Sequence, residues 1–297
     1  MKINELFVID SIFSNTRIDK WFKSKIGKVP QSFIEKSLRS GKILVNNIKV
    51  KSSYKLQKED KIFININYQD KPTKKKFSYK ASDYEYKELK NAIVYENHDY
   101  IILNKPSGIS VQSGTKSPKN IIDILNKYSD KKKYYLVHRI DKETSGLILL
   151  ACNKNFAQLI SEQFRNKEIN KNYLAVLHGS LILNDGILEH DLTFVEKNKS
   201  KIFKAETSFF VISKNKNFSY VQATPVTGRK HQLRQQFFKI NNPIVGDDKY
   251  FIPHHKNENN YLMLHSYKIT FYYQGKKRTY KIEPPVEFKN FLKKINL

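Results

Sequence analysis

The sequence predicts an α+β protein. Three observations carry this: many short strand-like runs, only two or three helical patterns among them, and no regular strand–helix alternation of the kind that builds a parallel doubly wound sheet. At 297 residues the chain is long enough for one large domain or two, with ample length for a well-buried core. It contains no internal repeat or low-complexity block.

Residues 16–64 hold the most legible pattern. Ile18, Phe22 and Ile26 recur at spacing four, predicting a short helix that ends at the break of residues 27–30, with Lys20, Lys23 and Lys25 largely off its apolar face. A second helix is predicted over 32–40, with Ser32 and Glu35 as a capping box, Phe33, Ile34 and Leu38 as contacts, and Gly41 as the stop. Residues 42–45 and 48–51 flank Asn46-Asn47, a pair tolerant of the positive φ that a tight hairpin needs. Residues 69–85 read as a linker, with Pro72, the Lys74-Lys75-Lys76 run and few aliphatics. That run is either a solvated face or a segment that tracks along RNA. Further on, strands are predicted at 92–95 and 100–104, a turn at Lys105-Pro106-Ser107-Gly108, a glycine- and hydroxyl-containing loop at 111–115 and a helix over 120–128. Residues 155–164 have helical spacing, 173–177 reads as a strand, 184–186 as a turn, and 203–212 and 218–223 as two more strands.

The 54 Lys and Arg against 28 Asp and Glu give a net charge of +26, more than solubility requires. A polyanionic partner explains it, because each neutralised phosphate releases counterions. Drift in a Lys- and Asn-rich genome explains it too. Placement favours the polyanion, since 19 basic residues stand against 7 acidic ones within residues 1–80. A single cysteine excludes an intramolecular disulfide and any Cys-based zinc cluster. Cys152, following Leu149, Leu150 and Ala151, reads as a buried thiol. No stretch approaches a membrane span and the N-terminus lacks a signal-peptide core, so a cytoplasmic protein is expected. His231, His254, His255 and His265 have no accompanying His-x-Glu or Cys pair, and no metal site is expected.

Residues 138–146 read His-Arg-Ile-Asp-Lys-Glu-Thr-Ser-Gly. Arg139 and Asp141 interrupt apolar residues 135–137 and 147–150, so the chain is expected to rise out of a core, present Asp141 and turn back at Gly146. Taken alone, a strand-end carboxylate paired with Arg139 or capping a turn is the simpler reading.

The segment resembles the signature of the RluA-type pseudouridine synthases, His-Arg-Leu-Asp-x-x-Thr-Ser-Gly, with Ile140 in place of the usual leucine. Asn104-Lys105-Pro106-Ser107-Gly108, Lys171-Asn172-Tyr173-Leu174-Ala175 and Thr227-Gly228-Arg229-Lys230-His231-Gln232-Leu233-Arg234 resemble further motifs of that family. The last departs from the pattern where the family continues Val-His and this chain has Gln235-Gln236. Gly-Ile-Ser-Val-Gln-Ser-Gly-Thr at 108–115 looks like the RluC-type version of the first motif. Towards the N-terminus, two basic helices followed by Ile-Leu-Val-Asn-Asn-Ile-Lys-Val, with Arg17, Asp19, Arg39, Gly41, Val45 and Asn46, resemble the S4 RNA-binding domain.

The resemblance implies an S4 RNA-binding domain over 1–68, a linker over 69–85 and a pseudouridine synthase domain over 86–297. That last domain is expected on a mixed, mainly antiparallel sheet with flanking helices and a central cleft. The implied activity is isomerisation of uridine to pseudouridine in 23S ribosomal RNA by an RluC-type enzyme. An RluD-like enzyme is the nearest competitor and a transfer-RNA specialist is disfavoured. The reaction breaks the N1–C1′ bond, rotates the base and rejoins it through C5, an isomerisation that requires no cofactor. Asp141 is the implied catalytic carboxylate, whether it attacks C1′ or removes the 2′ proton. Arg234 is its implied salt-bridge partner, Tyr173 lies on the uracil face, and Leu233 packs beside the target base. Arg139, with His138 beside it, fills the space left by the flipped nucleotide. Arg17, Lys20, Arg39 and Lys42 meet phosphates of a folded RNA. The implied partner is 23S rRNA or a pre-50S particle, met by a monomer with no membrane attachment. Two rival classes are a non-catalytic RNA-binding protein, which has no chemical reason to keep Asp141, Tyr173 and Arg234 together, and a base deaminase, which lacks its zinc ligands.

Overall fold

The computed structural model describes residues 2–27, 29–67, 79, 81–113, 118–128, 132–196, 199–253 and 259–297. The Lys74-Lys75-Lys76 run, Gly114, Thr115, His254 and His255 lie outside the described residues. Contacts divide the chain into two compact units, Met1–Lys76 and Phe77–Leu297, each with its own core.

The first unit runs β1 (Lys2–Val8), a 3-10 turn (Ser11–Phe13), α1 (Ile18–Ile26), α2 (Gln31–Arg39), β2 (Ile43–Val45) and β3 (Lys61–Asn67), with the antiparallel sheet order β1-β3-β2. Ile62, Ile64 and Ile66 alternate with exposed Lys61, Asn65 and Asn67, the period-two pattern of a strand with one buried face. That face joins Ile18, Trp21, Phe22, Ile34 and Leu38 from the two helices in one core.

Two local expectations change. Pro30 sets the first turn of α2 one residue earlier than predicted, and no side chain caps it; the Gln31 amide donates to Asp19 and Glu35 instead of Ser32 forming a box with Glu35. The predicted hairpin keeps its turn, with Asn46 and Asn47 at φ 48° and 65°, but not its second strand. Residues 48–51 return irregularly, and β2 pairs with β3. The side chain of Asn46 explains the choice: its carbonyl accepts from the Lys61 backbone N–H and its amide donates to buried Asp60, tying the turn to the start of β3.

The second unit runs α3 (Asp83–Asn91), β4 (Ile93–Glu96), β5 (Tyr100–Lys105), α4 (Ile121–Lys127), β6 (Tyr135–Leu136), β7 (Ser145–Ala151), α5 (Lys154–Arg165), β8 (Asn170–His178), β9 (Asp185–Glu196), β10 (Lys199–Lys214), β11 (Phe218–Pro225), α6 (Gln232–Lys239), β12 (Leu264–Tyr273), β13 (Lys276–Lys281) and α7 (Val286–Lys294). Among the described residues its strands form one ten-stranded sheet ordered β4-β5-β7-β12-β8-β11-β10-β9, with β13 beside β12 and β6 beside β7. Every pairing is antiparallel except β7 with β12, so the α+β class and the mixed sheet are as predicted. The turn expected at 184–186 is a strand start instead, because Asp185 and Gly186 already pair with Phe210 and Phe209.

Strands β5 and β7 form the buried centre. Ile101, Leu103, Ile148 and Leu150 enter one core, while Tyr100, Ile102, Leu147 and Leu149 enter another on the opposite face. A strand covered on both faces loses its apolar–polar alternation, which is why β7 reads as a continuous apolar run. Each such side chain contributes roughly 1.5–3 kcal/mol on burial. At the parallel junction, His265 donates from Nε2 to the Ile282 carbonyl, so its Nδ1 accepts from the Ser145 hydroxyl. Burial lowers this imidazole to about 4 and keeps it neutral.

Gly146 is not the turn residue expected from the sequence. It is the second residue of β7, at φ 102°, between Lys105 of β5 and Ser266 of β12. A Cβ there would run into the Ser266 backbone carbonyl. Gly146→Ala is therefore expected to destabilise the second unit by roughly 2–5 kcal/mol, from the strained φ plus the displaced strand. Chemical denaturation checks this, and an unchanged unfolding midpoint would contradict the close approach.

Candidate active site

Asp141 sits on a loop, 137–144, that arches between the paired strands β6 and β7. Ile140 anchors the arch in the core, while Arg139 on one side of it is exposed and Asp141 on the other is part-exposed. The loop is clamped from below by residues 105–108. The Lys105 ammonium, wholly buried, donates to the carbonyls of Pro106, Ile109 and Lys142 at 2.8, 3.0 and 2.7 Å. Gly108 N–H donates to the same Lys142 carbonyl, and the Ser107 hydroxyl donates to that of Glu143. Burial brings Lys105 down to about 7 even against the opposing pull of Glu143 and Asp141. Three carbonyl acceptors are satisfied together only by the protonated amine, so the geometry holds the charged form.

The arch overlooks a cleft of about 500 Å³. Its walls come from the loop, from Lys171 and Tyr173 on β8, and from the turn and first residues of α6, including Gly228, His231, Leu233 and Arg234. The Asp141 carboxylate is 19% exposed and, among the described residues, accepts no hydrogen bond; its nearest cationic candidate is His231 Nε2 at 3.8 Å. The lone pairs of the carboxylate are thus available to a bound molecule.

Tyr173 is buried in the cleft wall, in register with Ala223 and Ser266 on the neighbouring strands. Burial, and secondly the charge on Asp141, hold its phenol well above the usual range and therefore protonated. Leu233 is buried and lines the same cleft. Asp141, Tyr173, Leu233 and Arg234 all line the one cleft.

The salt bridge does not follow the expectation. Arg234 forms a two-pronged pair with Asp247, Nε and Nη2 both at 2.6 Å, and a further bond of 2.8 Å to Asp248, rather than an ion pair with Asp141. Asp247 is fully buried and also accepts the backbone N–H groups of Lys249 and Tyr250, so it holds the arginine in place. Burial opposes the guanidinium charge, but Asp247 foremost and the field of Asp141 more than reverse this and raise its pKa. Removing either member of such a buried pair costs about 3–5 kcal/mol. Arg234 therefore stands near Asp141 as a fixed charge held by other partners and makes no ion pair with it.

His138 also differs from the expectation that it serves base extrusion. Its Nε2 accepts the Leu149 backbone N–H at 2.9 Å and its ring stacks on Phe164 at 4.8 Å. One edge borders the cleft, yet the ring is committed to holding the loop against β7. Arg139 is exposed at the cleft and makes no ion pair among the described residues.

Sequence reasoning missed Lys105, Lys171 and His231 as site residues. His231 takes φ 52° at the start of α6 and pairs its Nδ1 with the Tyr250 hydroxyl at 3.2 Å. Burial lowers its pKa, Asp141 opposes this, and Arg234, Lys249 and Lys230 reinforce it. Burial likewise lowers Lys171 on the cleft wall. The unusual Gln236 proves structural: wholly buried, it accepts from Thr207 and donates to the carbonyls of Leu188 and Ala205, tying α6 to β9 and β10. Gln235 donates to the Lys230 carbonyl.

In the first unit, Lys20, Arg39 and Lys42 are exposed. Arg17 is exposed as well but forked onto buried Asp19 at 2.6 and 3.1 Å. Among the described residues no helix is long and apolar enough to cross a membrane.

Residues 99–239 match the family model described as RNA pseudouridylate synthase. Over 308 residues the chain is 33% identical to Ribosomal large subunit pseudouridine synthase C of Buchnera aphidicola subsp. Schizaphis graminum, covering 97% of this chain and 96% of that one. The protein of the same name from Rickettsia felis is 35% identical over 274 residues, covering 86% and 88%. Among solved structures, Human RNA Pseudouridylate Synthase Domain Containing 4 superimposes with a TM-score of 0.60 at 23% identity, over 72% of this chain and 96% of that one. At that identity the likeness is one of fold.

The environment of His138 makes a pH prediction. Burial holds its pKa at about 3, against 6.5 for the free side chain, so the unfolded chain binds the extra proton throughout the interval between them. Stability contributed by the neutral ring is complete above pH 6.5 and is lost as pH falls, by at most about 1.4 kcal/mol per unit. Urea unfolding at pH 7 and pH 4.5 is expected to show a shallower pH dependence for His138→Gln than for the wild type. Parallel curves would contradict this.

Proposed function

The chain belongs to the RNA pseudouridylate synthase family, and we propose that it isomerises uridines to pseudouridine in large-subunit ribosomal RNA, as the names of its relatives in Buchnera aphidicola and Rickettsia felis indicate for those proteins. The observation that carries the reading is the Asp141 carboxylate, fixed on a clamped arch, accepting no hydrogen bond among the described residues and facing Tyr173 across a cleft large enough for a nucleoside.

In this reading the target nucleotide leaves its stack and enters the cleft, at a cost of a few kcal/mol that contacts in the cleft offset. Arg139, exposed and without an ion pair among the described residues, is placed to occupy the vacated position. The uracil lies between Tyr173 and Leu233. Asp141 acts at the sugar, by attack on C1′ or by removal of the 2′ proton, and either route requires the ionised form. Lys105 and Arg234 stand near Asp141 without covering its oxygens, and His231, lowered by burial, leaves it unpaired. Tyr173, held protonated, meets the base as an apolar surface and hydrogen-bond donor. Taking the C5 proton requires it first to give up its own.

The first unit is proposed as an S4-type RNA-binding domain. Exposed Lys20, Arg39 and Lys42 support it, as does coverage of 97% of the chain by the Buchnera relative, which carries the likeness into the N-terminal residues. Arg17 enters this surface only through the face of its guanidinium not held by Asp19. Phosphate contacts of this kind position an RNA without reading its bases.

The test is to map pseudouridines across ribosomal RNA from cells lacking the protein, then from the same cells supplied with wild type or Asp141→Asn. Specific large-subunit positions are expected to be lost, restored by the wild type and not by the variant, while the purified variant binds RNA within a few fold of wild type. Restoration by Asp141→Asn would end the catalytic assignment, and an unchanged large-subunit map would end the substrate assignment.

A further inference from the structure

A second cleft of about 440 Å³ adjoins the first, and Gly228 and Arg229 line both. It lies against β9 and β10. Along β10, alternate residues Phe209, Thr207, Ala205, Phe203 and Lys201 share one face. The first three are buried, and Thr207 is held to α6 by Gln236 and Gln232. Beyond them Phe203 is 36% exposed, with Lys201 exposed after it. An aromatic ring on the inner face of a strand, past the last covering residue, is costly to leave in water and is placed to cover something else.

The surroundings identify what it covers. The Arg229 guanidinium lies over Phe203, 5.1 Å from the ring centroid, with its Nε donating to the Lys204 carbonyl at 3.2 Å. The guanidinium over the ring makes a cation–π platform at the boundary of the two clefts. Lys201, Lys230 and Lys249 share the remaining walls with Thr193, Gln235 and Tyr250, and among the described residues no carboxylate lines this cleft. Phe194 sits beside Phe203 at 57°, so the two rings form an angle and not a slot; a flat group rests on the platform instead of between them. A guanidinium stacked on a ring with three lysines nearby, continuous with a nucleoside-sized cleft, suits a nucleotide: the base on the guanidinium–ring stack and the phosphate among the lysines.

We infer that the second cleft holds the nucleotide next to the flipped uridine, with its base on the Phe203–Arg229 platform and its phosphate among Lys201, Lys230 and Lys249. This rests on the reading of the first cleft as the uridine site. It makes Phe203 a positioning residue for substrate, set apart from the chemistry at Asp141. Stacking tolerates any base, so the platform fixes the path of the strand in preference to a sequence.

The test uses the full-length protein and a large-subunit RNA fragment containing a uridine that it modifies. Each neighbour of that uridine is replaced in turn by an abasic ribose. For the wild type, one of the two lesions is expected to raise KM about tenfold with kcat retained. Phe203→Ala is expected to raise KM on the intact fragment by a similar factor and to make that same lesion nearly silent, the non-additivity that marks a direct contact. Phe203→Tyr keeps the platform and is expected to behave as wild type. An unchanged KM for Phe203→Ala, or lesion and substitution effects that simply multiply, would overturn the inference. Absence of wild-type turnover on every large-subunit fragment would instead overturn the ribosomal reading, and this inference with it.

Discussion

The buried ammonium of Lys105 is the interaction on which the geometry of the catalytic unit depends. A loop that carries a part-exposed carboxylate above the end of a sheet has few backbone partners of its own, and each buried carbonyl left unpaired costs free energy. Lys105 resolves this by donating to three carbonyls at once, two from its own turn and one from Lys142, the residue next to Asp141. Hydrogen bonds to charged donors contribute about 1.5–3 kcal/mol each, against about 1 for neutral ones. Ser107 and Gly108 complete the clamp at Glu143 and Lys142. The carboxylate is thereby fixed through the backbone, and its own oxygens remain uncommitted.

The same division of labour appears across the cleft. Arg234 is immobilised by Asp247 and Asp248, His231 by Tyr250, and His138 by the Leu149 N–H. Each of these three side chains is held by a partner other than Asp141. A preorganised site of this kind meets developing charge without having to rearrange, which is where most electrostatic stabilisation of a transition state arises. A direct Arg234–Asp141 bridge would have satisfied the carboxylate in advance, and in the proposed mechanism blunted it as base or nucleophile.

Much of this was legible in the sequence, and the failures share a cause. Spacing-four repeats located α1 and α5, and the uninterrupted apolar run located β7, because those patterns report directly on which faces are covered. Motif resemblance located Asp141, Tyr173, Leu233 and Arg234. What could not be read was pairing between distant segments. The partner of Arg234 lies on a loop whose Gly246, at φ 76°, packs against the Tyr261 carbonyl, a closeness visible only after folding. Gly146 looked like a turn for the same reason: a glycine required by a neighbouring strand and one required by a chain reversal are identical in sequence. Residues 48–51 had the composition of a strand, but Asn46 and Asp60 hand β2 to a partner further along the chain. Lys105 was read as part of a turn, although a lysine flanked by the apolar run 101–103 and Pro106 is a candidate for burial.

The central claim, that Lys105 positions Asp141 through the loop backbone, is tested most directly by the single-turnover rate of Lys105→Met on a modified large-subunit RNA fragment, measured beside RNA affinity and amide exchange at Gly108 and Thr144. The account predicts a rate reduced about 100-fold, as a displaced catalytic group requires, together with lost protection at both amides and affinity within a few fold of wild type. A wild-type single-turnover rate in Lys105→Met would contradict it.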